Sequence, residues 1–123
     1  METEEPLLSF GPFGVSVCEG AYAALKWQER NVFLIELTDH SLRGTRRSRI
    51  PLLRCLQGGA SFEIPYAAIT AVKLSPHPAR LGVMQILEIT YRDRGVLKKS
   101  IAAYNGPAES AFAILQRFAP RTG

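Results

Sequence analysis

The sequence predicts a mainly β domain closed by a single C-terminal helix, and three observations carry that prediction. Runs of β-branched and aromatic residues recur along the chain with apolar and polar positions alternating, the period of a strand with one buried face. Phe62 to Val72 reads as two short strands joined at Pro65, which has no N–H and a fixed φ and so belongs at a strand edge or a bend. From Asn105 onward the apolar residues return at three- and four-residue steps instead. No helical pattern separates the earlier strands, so there is nothing to build parallel crossovers and the pairing must be antiparallel. The expected order is about seven strands followed by one helix.

Taken in order, Met1-Glu2-Thr3-Glu4-Glu5-Pro6 is acidic and Phe10-Gly11-Pro12-Phe13-Gly14 interrupts any regular element, so residues 1–12 are expected to form a flexible N-terminal segment. Val15 to Cys18, continued by Tyr22 to Trp27 beyond a bend at Gly20, reads as a long first strand. Gln28-Glu29-Arg30-Asn31 is a polar turn, and Val32 to Thr38 returns as the hairpin partner, with Phe33, Ile35 and Leu37 inward and Glu36 outward. Asp39-His40 turns the chain into Ser41-Leu42-Arg43-Gly44, and Thr45 to Ser61 fits either a long loop or a strand pair with a mobile tip. After the Pro65 corner, Ile69 to Leu74 forms a strand that Ser75-Pro76-His77-Pro78 stops. Val83 to Tyr91 and Val96 to Tyr104 pair across Arg92-Asp93-Arg94-Gly95, which has the length and terminal glycine of a bulged hairpin. Asn105-Gly106-Pro107 starts the helix, Ala108, Ala111, Phe112, Leu115, Phe118 and Ala119 form its apolar stripe, and Pro120 ends it. One domain is therefore expected over 13–119, with 120–123 as a tail.

At 123 residues the chain has material for one core, since halves of it would be too small to fold without metals or disulfides. With 46% hydrophobic and 21% charged residues spread along its length, it is not a disordered chain. No apolar run approaches the roughly 20 residues that cross a bilayer. The first residues are acidic where a secretory signal is basic and then apolar, so a cytoplasmic location is expected. In that compartment Cys18 and Cys55 are expected as buried thiols and not as a disulfide. Neither they nor His40 and His77 show the close spacing of zinc ligands, so no metal and no cofactor is predicted.

Lys and Arg number 15 against 11 acids, a mild excess whose distribution matters more than its total. Arg43, Arg46, Arg47, Arg49 and Arg54 lie close together with no acid between them, and guanidinium groups suit bidentate contact with phosphate or carboxylate. Ordered on one side of the domain, they would attract anionic lipid headgroups or an acidic protein surface, with Ile50, Leu52 and Leu53 available for apolar insertion; nucleic acid is not the expected partner. The same residues also fit a solvated loop whose apolar side chains fold back onto the sheet. Arg92, Arg94, Lys98 and Lys99 form a second basic group, expected to keep an exposed sheet face soluble. Catalysis needs a nucleophile with a base in reach, or paired carboxylates, and no such constellation is visible. Gly58-Gly59 lacks the spacing and the following helix of a phosphate cradle, so no catalytic residue is assigned and no enzyme is predicted.

Leu37-Thr38-Asp39-His40-Ser41-Leu42, the Ile64-Pro65-Tyr66-Ala67-Ala68-Ile69 corner, Leu87-Glu88-Ile89-Thr90-Tyr91 and the terminal helix follow one another in an order that resembles bacterial pleckstrin-homology-like domains, including GRAM-like members. The resemblance covers about Phe13 to Phe118. It implies a PH-like seven-stranded, strongly bent antiparallel barrel capped by one C-terminal α-helix, serving as a binding or assembly platform. It also implies a homo-oligomer, because unpaired backbone groups on an exposed strand edge can pair with another chain. Lipid-binding eukaryotic members carry lysines and arginines in the first hairpin loop, where this chain has the mixed-charge Gln28-Glu29-Arg30-Asn31. The tryptophan of the family's helix is also absent, since Trp27 is the only one. The expected function is therefore protein–protein association, and the alternative is peripheral binding to an anionic membrane through the arginines of 43–54.

Overall fold

The computed structural model describes residues 6–20, 29–47 and 61–119. Within them the strands are β1 (Leu8–Phe10), β2 (Ser16–Glu19), β3 (Glu29–Arg30), β4 (Phe33–Leu37), β5 (Ser41–Arg46), β6 (Phe62–Pro65), β7 (Ile69–Pro76), β8 (Met84–Arg92) and β9 (Val96–Tyr104). A 3-10 turn, Tyr66–Ala68, joins β6 to β7, and helix α1 (Asn105–Phe118) follows β9. The strands form two antiparallel sheets, β1-β4-β5-β6 and β3-β2-β9-β8-β7.

The expected seven-stranded barrel is not formed. Among the described residues there are nine strands in two separate open sheets, and no strand belongs to both. The breaks fall where the backbone cannot continue a ladder. Pro65 ends β6 without an N–H to donate, and the 3-10 turn then sends β7 into the other sheet. Between β1 and β2 the chain passes Gly11 and Gly14 at φ of 97° and 74°, outside strand geometry. The PH-like and GRAM-like barrel implied by the resemblance is thereby replaced by two layers, each with edge strands that no further strand borders among the described residues.

Other details move with this change. Leu8 and Phe10, within the stretch expected to be flexible, pair with Leu37 and Ile35 as β1. Val32 to Thr38 was expected to fold back on the Val15 strand; instead β4 lies between β1 and β5, while β2 pairs with β3 and β9. The expected continuation through Tyr22 to Trp27 lies outside the described residues. Arg43 and Arg46, expected in a loop region, belong to the regular strand β5.

Strand alternation builds one main core. Phe33, Ile35 and Leu37 of β4, Leu42 of β5 and Ile64 of β6 face Val17, Leu87, Ile89, Tyr91 and Ile101 of the second sheet, and all are buried. Each such side chain contributes about 1.5–3 kcal/mol by leaving water. Helix α1 covers the same core with Ala108, Ala111 and Leu115, and Phe118 stacks on Tyr66 at 5.9 Å between ring centroids. A smaller cluster, Cys18, Ile86 and Ala102, occupies the opposite face of the second sheet.

The corner around Pro65 is tied down by hydrogen bonds. Tyr66 N–H donates to His40 O at 2.9 Å, and its buried hydroxyl donates to Thr38 O at 2.6 Å. Thr38 Oγ1 accepts from the N–H groups of His40 and Ser41, and Ser41 Oγ donates to Glu63 Oε2 at 2.7 Å. The β4–β5 turn, β6 and the 3-10 turn that leads into β7 are thus one hydrogen-bonded unit.

Candidate functional site

An edge strand follows from this geometry. β7 is eight residues long and has β8 as its single strand neighbour among the described residues. The other edges are shorter: β1 has three residues, β3 two and β6 four. A register shift between Ile69 and Ala71 bulges the start of β7, and Pro76 closes its end. These features blunt the ends of the edge and leave Ala71 to Ser75 as its regular stretch. Within it Val72 and Leu74 face the core, packed on its rim and only partly covered, while Ala71 and Lys73 lie exposed on the opposite face. Lys73 stands opposite Glu88 of β8.

Of the sequence-predicted arginines, Arg43, Arg46 and Arg47 lie among the described residues. Arg43 stands opposite Glu36 on one neighbouring strand and Glu63 on the other. Arg46 pairs with Phe33 in register, and its guanidinium lies 5.1 Å from the centre of that ring. Three residues apart on β5, the two side chains leave opposite faces of the sheet. Arg47 is exposed beyond the strand end, its N–H donating to Val32 O at 2.7 Å. Arg49 and Arg54, with Ile50, Leu52, Leu53, Cys55 and the Gly58-Gly59 pair, lie outside the described residues.

The second basic group is also divided. Lys99 was expected on an exposed face, but it shares the inner face of β9 with Ile101 and Ala103 and is buried. Its Nζ donates to Glu19 Oε1 at 2.6 Å and sits 3.9 Å above the Phe62 ring. Phe62 meets Phe33 edge-on at 5.4 Å, so Arg46, the two rings, Lys99 and Glu19 form one continuous stack between the sheets. The sequence offered no sign of it, because its members come from five strands.

Cys18 is a buried thiol whose pKa is raised, first by burial. His40 is exposed and touches Asp39 at 3.0 Å. His77 follows the end of β7, its pKa lowered first by burial and then by Arg80 and Arg30. Tyr66 is pushed up to about 12, mainly by burial and then by Asp39. Among the described residues no three of His, Cys, Asp and Glu gather where they could hold a metal ion. No helix among them is long and apolar enough to cross a membrane. No family model matches the chain, and no curated protein matches it.

Proposed function

We propose that this protein is a non-catalytic association module that pairs with a second copy of itself through the free edge of β7. The observation that carries the reading is the stretch Ala71 to Ser75, regular in register with β8 and bordered by no strand on its other side among the described residues. A strand added there would gain main-chain hydrogen bonds and extend the inner face over the partly covered Val72 and Leu74. Antiparallel pairing about Val72 sets Ala71 opposite Lys73 of the partner, whereas pairing about Lys73 would set two ammonium groups opposite each other. Of these two registers the charges favour the first. The free, buried Cys18 thiol suits a reducing compartment, and the cytoplasm is the proposed location.

Lipid binding through the predicted arginines is less well supported, since Arg46 folds over Phe33 and Arg43 stands between two carboxylate-bearing neighbours. The test is sedimentation of the full chain over a concentration series. Ala71→Lys, at an exposed position that the fold leaves in water, creates like-charge pairs in the proposed register and is expected to weaken association roughly tenfold or more, equivalent to about 1.4 kcal/mol. A wild type that stays monomeric, or a variant that associates equally well, would remove the proposal.

A further inference from the structure

The hairpin that joins β8 to β9 reaches past the rest of its sheet. β7 follows β8 only as far as Tyr91, and β2 pairs with β9 only from Lys99 onward, with Gly20 N–H donating to Lys98 O at 2.7 Å. Arg92 and Val96 therefore pair with each other and with no further strand among the described residues. Every residue from Arg92 to Leu97 is exposed. The turn is closed by Asp93 N–H donating to Gly95 O at 2.9 Å, with Arg94 and Gly95 at φ of 56° and 137°. A Cβ added to Gly95 would meet nothing within 4 Å, so the tip stands in solvent.

Two apolar side chains sit at this tip, Val96 at 72% exposed and Leu97 at 37%. As neighbours on a strand they occupy opposite faces of the ribbon. On the outer face Val96 lies across from Arg92 and two residues from Lys98; on the inner face Leu97 lies across from Tyr91, at the rim of the core. Residues 92–98 hold Arg92, Arg94 and Lys98 against the single acid Asp93, and Glu19, the acid that ends β2, is engaged by Lys99. Solubility accounts for the cations but not for Val96, whose place a polar residue would fill better in a hairpin that only has to stay in water.

Shape and charge choose the partner. Taking Val96 and Leu97 out of water counts equally for any occupant that covers them, so the other contributions decide. A protein surface laid on one face of the ribbon covers one of the two side chains and needs a cleft to cover both, whereas the headgroup layer of a bilayer yields around a convex tip and covers both faces at once. Beside anionic lipid each of the three cations favours attachment by roughly fivefold, with Asp93 opposing, while exposed ion pairs at the rim of a protein interface add little. We infer that the β8–β9 hairpin tip attaches the protein reversibly to an anionic bilayer, Val96 and Leu97 entering the headgroup layer among Arg92, Arg94 and Lys98. This surface is separate from the edge of β7. Antiparallel pairing about Val72 would point the two tips of a dimer in opposite directions, so a flat bilayer meets one tip at a time whether or not that edge is paired.

Vesicle flotation of the full chain tests this, at concentrations where the chain sediments as a monomer, so that failure here is distinct from failure of pairing through β7. The chain is expected to float with vesicles of phosphatidylcholine and phosphatidylserine, to stay behind with phosphatidylcholine alone, and to be released by added salt. Val96→Ser removes the apolar contact, and Arg94→Asn removes a charge while suiting the left-handed backbone at that position. Each is expected to weaken partitioning roughly fivefold and to leave the urea midpoint unchanged. In isotope-labelled protein, bicelles of the same anionic lipids are expected to perturb the amides of 92–98 first. The inference is overturned if the chain ignores anionic vesicles at low salt, if phosphatidylcholine alone serves equally well, if both variants float as the wild type does, or if bicelles perturb another surface. It is equally overturned if the chain ignores the vesicles while an acidic peptide of Glu and Leu shifts the tip amides saturably, which would assign the hairpin to a protein partner.

Discussion

At Gly44 the packing of the first sheet depends on one missing atom. It pairs with Ile35 and Phe62, and the Phe62 ring lies over it so closely that a Cβ would run into the ring. Gly44→Ala is therefore expected to destabilise the fold by about 1–3 kcal/mol, because Phe62 can retreat only by disturbing Phe33 and Lys99. Urea denaturation measures this, and adding Phe62→Leu should restore part of the loss. Tyr66 carries a pH prediction. Its folded-state pKa of about 12 lies above the ordinary tyrosine value of 10.0, so the folded state retains a proton that the unfolded chain gives up. Stability from this group is complete below about pH 10 and falls as pH rises toward 12, with Cys18 and Tyr91, also raised, acting in the same direction. Denaturation midpoints should fall through that window, and Tyr66→Phe should flatten the part due to this hydroxyl, at the cost of its bond to Thr38 O.

At the scale of elements, what could be read from the sequence was what is local. The alternation of Phe33, Ile35 and Leu37 survives as the buried face of β4, Val96 to Tyr104 is β9, and the Ala108, Ala111, Leu115 stripe is the covered face of α1. Pro65 lies at the corner because φ and the missing N–H act within one residue. Which sheet each strand joins was not legible, since pairing is decided by distant partners: β4 adjoins β1 and β5, and β2 adjoins β9. β1 was hidden by its three-residue length, and Lys99 by its charge, although it falls in phase with Ile101 and Ala103. Lys99→Met keeps the buried stem while removing the charge and its partner bond. It is expected to leave stability within about 1 kcal/mol, because the gain from a buried ion pair is largely offset by desolvation. A loss several times larger in urea denaturation would mean that the ammonium held between Phe62 and Glu19 is a principal support of the stack.

At the scale of the whole molecule, two separate sheets, open among the described residues, face each other across one core in place of the single barrel expected of the chain. Open sheets must blunt, cover or use their edges. Here the short edges β1 and β3 offer little backbone, and β7 is blunted by a bulge and a proline at its ends but not along Ala71 to Ser75.

Amide hydrogen exchange of β7 as a function of protein concentration tests self-association through this edge most directly. If copies pair along β7, the outward-facing amides between Ala71 and Ser75 exchange fast in dilute solution and become progressively protected as the concentration rises, and Ala71→Lys moves that dependence to roughly tenfold higher concentration or beyond while leaving β8 and β9 protected. Exchange at these amides that is identical at every concentration, or that is already slow where the chain sediments as a monomer, would contradict it.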